Sequence, residues 1–137
     1  MQVIVDILNV GLYNSLYRLH IQENNMTHHT KEEIVSQVAV YVSRVQELVN
    51  AQYDPKYPHM TPHNITVSYG KKYAKVITKA TFGSSVSVHT FVDLENGNIM
   101  KAASWSKPAA IPRGNIFNDN SDVGRTVSQY GAVYLRG

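Results

Sequence analysis

Apolar residues recur at two different periods along the chain, and the change of period marks its main division. In the first twenty residues Ile4, Ile7, Leu8, Gly11, Ser15, Leu16 and Leu19 fall at helical spacing. They predict a helix over about 2–20 with Gly11 as its weak point. The polar stretch IQENNMTHHT ends it. Thr30 followed by Glu33 then has the spacing of a capping box, in which the two side chains satisfy the exposed N–H groups of a helix start. Ile34, Val38, Tyr41, Val45 and Leu48 follow every three to four residues, with Val35, Val42 and Val49 beside them and Glu32, Arg44 and Glu47 on the polar side. A second helix over about 31–50 is expected. The segment YDPKYPHMTPHN, with Pro55, Pro58 and Pro62, reads as a loop.

From Ile65 the period becomes two. Ala74, Val76, Thr78, Ala80 and Phe82 alternate with Tyr73, Lys75, Ile77, Lys79 and Thr81, and after Gly83–Ser85 the residues Val86, Val88, Thr90, Val92 and Leu94 alternate with Ser87, His89, Phe91 and Asp93. A three-residue Gly83–Ser85 loop pairs Ala80 with Val88 and Val76 with Val92, which leaves one face uniformly small and apolar; a two-residue turn mixes the faces. Asn96-Gly97 supplies the positive φ angles of a tight hairpin turn, followed by a strand from Asn98 to about Ala102, and Ile65 to Ser68 adds a further strand. The expected sheet spans about 65–102. Pro108 and Pro112 make 103–117 a stiffened loop, and 118–137 offers only a short helical turn at Ser121-Asp122 before an extended end. The fold class is α+β: two N-terminal helices, an antiparallel β-meander of three to four strands and an irregular C-terminal segment, in a single domain over 1–137.

Composition narrows the function classes. There is no cysteine, which excludes disulfides and thiolate chemistry. No apolar run approaches the ~18 residues of a membrane span, and the start lacks the basic region and cleavage site of a signal peptide, so an intracellular protein is expected. The net charge of +3 tolerates an anionic partner without demanding one.

Two groups of residues carry candidate chemistry. In the preferred register Lys79 lies opposite His89, Ile77 opposite Phe91 and Lys75 opposite Asp93, with Tyr73 and Lys71 further along. Cations interleaved with aromatics on a strand face suit a single nucleic-acid strand, whose bases stack while phosphates meet ammonium groups. The competing reading packs Ile77 and Phe91 under the first helix. The proline loop is the second group. Trp105 offers a stacking surface, Arg113 a planar fork for phosphate, Asn115 an amide for a base edge, Lys107 a charge, and Gly114 room for close approach. Here the competing reading makes Trp105 a core anchor and Arg113-Gly114 a simple turn.

The six histidines form no convincing ligand set: His28 and His29 diverge as neighbours, and His59 and His63 lack partners beyond Asp54. No metal or other cofactor is expected. There is no nucleophile elbow, no phosphate loop around Gly70-Lys71-Lys72 and no carboxylate pair, so no catalytic residue is assigned and a non-enzyme is expected.

The block SSVSVHTFVDLENGNIMKAASWSKPAAIPRGNIF resembles a segment of small uncharacterised bacteriophage proteins. The matching positions are Phe91-Val92-Asp93, Asn96-Gly97, Lys101 to Ala109 and Arg113 to Phe117, about a quarter of the chain. The resemblance implies a phage-encoded protein located in the host cytoplasm or in the virion, and it brings no activity with it. The leading expectation is therefore a non-catalytic protein binding nucleic acid or a nucleotide through Trp105, Lys107, Arg113, Asn115, Lys75, Lys79, His89 and Phe91. The alternative is a protein–protein interaction module that inhibits a host factor or belongs to the virion. The nine tyrosines lean toward that alternative, and a homo-oligomer is compatible with both.

Overall fold

One amphipathic helix, α1 (Lys31–Ala51), buries Ile34, Val38, Tyr41 and Val45 along a single stripe. These are four of the five positions expected from the sequence, and Leu48 packs half-buried against the same core. Burying each such side chain contributes roughly 1.5–3 kcal/mol. The stripe lies on an antiparallel sheet of five strands in the order β1 (Asn64–Tyr69), β2 (Tyr73–Lys79), β3 (Val86–Asp93), β4 (Asn98–Ala102) and β5 (Pro108–Asn115). This computed structural model describes residues 28–133. The helix expected over about 2–20 lies outside the described residues. Among those residues no helix is long and apolar enough to cross a membrane.

The α+β class and the consecutive meander match expectation, but the sheet has one strand more than the three to four foreseen. The segment taken for a proline loop is β5, in which Asn115 pairs with Asn98, Gly114 with Ile99, Pro112 with Met100 and Pro108 with Ala102, across two register shifts. Proline lacks an N–H donor, and an edge strand with bulges is where that lack does least harm. Only residues 103–107 remain as a loop, closed by Ala103 and Ser104 N–H groups donating to the Lys107 carbonyl at 2.9 and 3.1 Å.

The register of β2 on β3 also differs. Val76 pairs with Thr90 and Ile77 with Val88, so a bulge leaves His89 as the extra residue. Ala80 N–H bonds the Ser85 carbonyl, which makes the connection Thr81–Ser84 rather than Gly83–Ser85. Alternation had no means of revealing the bulge, because shifting by one residue at mid-strand exchanges the faces only from that point on. Val92 and Thr90 therefore face the core beside Ala74 and Val76, whereas Val88 and Val86 cross to the other side.

The opposite edge is tied to α1 by one side chain. Gln46 Nε2 donates to the His63 carbonyl at 2.9 Å and its Oε1 accepts the Ile65 N–H at 2.7 Å. The glutamine amide thus takes the place of a sixth strand at the start of β1.

The C-terminal segment, expected to be irregular, is a cover over the core. It contains a 3-10 turn (Asp119–Asp122) and a two-stranded hairpin, β6 (Val127–Ser128) and β7 (Gly131–Ala132). Val123 and Val127 join the core cluster.

Candidate nucleic-acid interface

Strand alternation turns Tyr73, Lys75, Ile77 and Lys79 away from α1, opposite Asp93, Phe91, Val88 and Val86 respectively. This outer face carries the cation–aromatic pattern, although each pairing is displaced from the expected one. The Phe91 and Tyr73 rings meet edge to face with centroids 6.0 Å apart. Phe91 is buried, so it forms the floor of the site and not a stacking surface. Lys72 places its ammonium 5.5 Å from the centre of the Tyr73 ring.

The loop after β4 completes the site. Trp105, far from Lys75 in sequence, receives the Lys75 ammonium over its ring at 4.2 Å from the centroid. With 47% of its surface exposed, the indole is no core anchor, and the cation holds it against the sheet. One hollow has the indole in its lining, and a groove holds Lys75 and the neighbouring Ser106. The groove, of about 280 Å³, is lined by Ser68, Gly70, Lys71, Lys72, Tyr73, Lys75, Phe91 and Ser106. The hollow, of about 290 Å³, is lined by Val86, Ser87, Val88, Ala102, Ala103, Ser104 and Trp105. Lys71 and Lys72 reach the groove because they are the two-residue turn between β1 and β2, closed by the Gly70 N–H on the Tyr73 carbonyl at 2.8 Å. Lys72 was not singled out from sequence; the signal was there, since a lysine pair in a tight hairpin must project from the sheet end.

The remaining expected residues are elsewhere or otherwise engaged. Lys107 is exposed in the loop, and Lys79 is exposed at the far end of β2; neither lines the groove. Arg113 Nη1 donates to the Val133 carbonyl at 2.6 Å and so fixes the C-terminal segment. Asn115 is saturated: Nδ2 donates to the Asn96 carbonyl and to Asn98 Oδ1, both at 3.0 Å, and Oδ1 accepts the Phe117 N–H at 2.8 Å. A Cβ on Gly114 would stand 2.6 Å from both Asp122 Oδ2 and Thr126 Oγ1. The close approach this glycine permits is to a buried carboxylate. The Arg113-Gly114-Asn115 motif is thus a structural joint, remote in role from Trp105.

His89 is likewise buried, 3% exposed, and is no part of the outer face. Its Nε2 lies 2.9 Å from the Ser128 carbonyl, which can only accept, so Nε2 carries the proton. Nδ1 then accepts from Thr90 Oγ1 at 3.0 Å, and Thr90 accepts the Tyr41 hydroxyl at 2.7 Å. Burial pushes the His89 pKa below its ordinary value, against the opposing effect of the Ser128 carbonyl. Burial also drives the Tyr41 hydroxyl far above its usual range. The folded state binds the His89 proton less readily than the unfolded chain does. Stability is therefore complete above the unfolded pKa of about 6.5 and declines as pH falls from there through the lowered folded value. Thermal melts between pH 7.5 and 5 are expected to show this decline, and His89→Gln, which keeps one donor and one acceptor, is expected to flatten it. A slope unchanged by that variant would assign the acid sensitivity elsewhere.

Among the described residues no three His, Cys, Asp or Glu side chains come together as a metal site requires. No curated protein and no solved structure matches the chain. The model of a family of unknown function, DUF7717, matches residues 17–132, and the chain belongs to that family.

Proposed function

We propose that this is a non-catalytic protein that binds single-stranded nucleic acid across the outer face of its sheet. The observation that supports the reading best is the Lys75 ammonium held over a half-exposed Trp105 beside the Lys71-Lys72 turn. Stacking surface and phosphate-seeking cations meet there, with Lys75 on β2, Lys71-Lys72 in a tight turn and Trp105 in a short loop, as single-strand recognition needs. Two open hollows on a sheet suit a strand passing over them better than a free nucleotide, which calls for deep enclosure. Origin in a phage is part of the same proposal, and it rests on the resemblance of Lys101–Ala109 and Arg113–Phe117.

Trp105 is the only tryptophan, so its fluorescence reports the site directly. Titration with oligothymidylate or oligouridylate is expected to quench it. Contacts from Lys71, Lys72 and Lys75 give a log–log salt slope of about −2, at about 0.7 per phosphate on a single strand. Trp105→Ala is expected to weaken binding by roughly 5- to 150-fold, equivalent to about 1–3 kcal/mol for one stacked base. A flat titration, or quenching indifferent to salt, would remove the proposal.

A protein partner is the second reading. It is favoured by apolar side chains left in water: Phe82 is 67% and Met60 66% exposed. That reading expects a partner whose binding survives moderate salt.

A further inference from the structure

Two hollows near Trp105 differ in charge: Lys75, whose ammonium meets the indole, lines one, and Trp105 itself lines the other. The groove has three lysines, two serines, a glycine and two aromatics in its lining. The hollow is made of valine, alanine, serine and the indole itself, with no charged side chain. Ser106 belongs to the first and Ser104 to the second. Two residues of chain span at most about 7 Å, so a single nucleotide reaches both.

The indole is also used asymmetrically. Lys75, which lines the lysine groove, covers one face of the ring at 4.2 Å. A base has no room on that face while the ammonium holds it. Trp105 also lines the uncharged hollow, which offers a base access to the indole away from the lysine groove. There Val86, Val88, Ala102 and Ala103 line an open hollow together with Ser87 and Ser104, so a planar ring meets small uncharged residues that do not read its edge.

From this we infer that the site divides each bound nucleotide: one base enters the hollow of Val86, Val88, Ala102, Ala103 and Trp105, while its flanking phosphate lies in the groove of Lys71, Lys72 and Lys75. The inference rests on the single-strand reading above and specifies how that strand lies. Stacking on a ring with uncharged walls accepts any base, so the division implies little sequence preference. It also implies that base and phosphate contributions can be removed one at a time.

The probes are oligothymidylate and an abasic deoxyribose-phosphate strand of equal length, measured by fluorescence anisotropy over a range of salt. Wild-type protein is expected to bind both, the abasic strand more weakly by roughly 5- to 150-fold but with the same salt slope. Ala103→Leu, which fills the hollow, is expected to bring oligothymidylate down to the affinity of the abasic strand and leave the abasic strand unchanged. Lys71→Gln with Lys72→Gln is expected to make the slope shallower by about 1.4 for both probes. Val86→Phe, at an exposed strand position, repeats the filling test should Ala103→Leu disturb the loop, and an unshifted melting temperature qualifies either variant. Equal loss on both probes, or none, in a folded filling variant overturns the division while leaving single-strand binding intact. Failure of wild-type protein to bind either probe overturns the parent reading as well.

Discussion

Replacing Asp122 by alanine is expected to cost about 2–5 kcal/mol of folding stability, seen as a lower denaturation midpoint with an unchanged denaturant slope. The carboxylate is 1% exposed. Its Oδ2 accepts the Asn115 N–H at 2.9 Å and Asn118 Nδ2 at 2.7 Å. Oδ1 makes no hydrogen bond; it faces Arg125 Nη1 at 3.5 Å, and that exposed guanidinium is screened by water. Stability therefore comes from the two charge-assisted bonds at Oδ2, which pin β5 to the C-terminal cover. Alanine would leave both donors without their acceptor and open a void in the joint. It would also stand at φ 60°, third in a left-handed run with Asn120 and Ser121, where aspartate and asparagine are tolerated and alanine is strained. Asp122→Asn keeps an acceptor and the tolerated backbone, and is expected to lose clearly less. Gly114→Ala should fall in the same range as Asp122→Ala, because its methyl would displace this carboxylate. A change under 1 kcal/mol for Asp122→Ala would show that the joint carries no stability.

The same joint explains why the site was only half legible in the sequence. Arg113, Gly114 and Asn115 have the polar and conformational character of a ligand loop, and a sequence does not say whether an amide bonds to a base or to Asn96 and Asn98. Their partners come from the β3–β4 turn and from the chain beyond Ile116, long-range contacts without a local signature. Trp105 and Lys75 posed the opposite problem. Each was recognisable as a candidate, but their contact depends on a five-residue loop folding back across β3 to β2. The helix stripe from Ile34 to Val45 was readable because a single period repeats along it and burial is its only task. The proline-bearing β5 was not, since the edge position that makes proline harmless is a property of the assembled sheet.

The bulge at His89 links the two faces. By taking one residue out of register it turns Val86 and Val88 outward to wall the hollow beside Trp105, and it directs an imidazole inward, beside the buried Thr90 hydroxyl. A regular β3 would bury those valines and lose the wall. The polar chain from Tyr41 to Ser128 is what accommodates the inward histidine, so the shape of the outer face depends on hydrogen bonds made on the inner one.

That dependence makes Thr90 the second position of large expected effect. Thr90 Oγ1 accepts from Tyr41 and donates to His89 Nδ1, both buried. Thr90→Val preserves shape and removes only the hydroxyl, so two buried polar groups lose their partner at about 1–3 kcal/mol each. A loss of roughly 2–6 kcal/mol is expected in urea denaturation. Thr90→Ser, which keeps the hydroxyl, is expected to lose much less. Adding Tyr41→Phe to Thr90→Val removes one orphaned group and should recover part of the loss, which marks coupling and not simple packing. If the double variant is as unstable as the sum of the singles, the chain is not cooperative and the bulge is held by packing alone. If it recovers, the inner hydrogen bonds hold the bulge, and the Thr90→Val protein should also show a changed Trp105 emission as the Val86–Val88 wall relaxes.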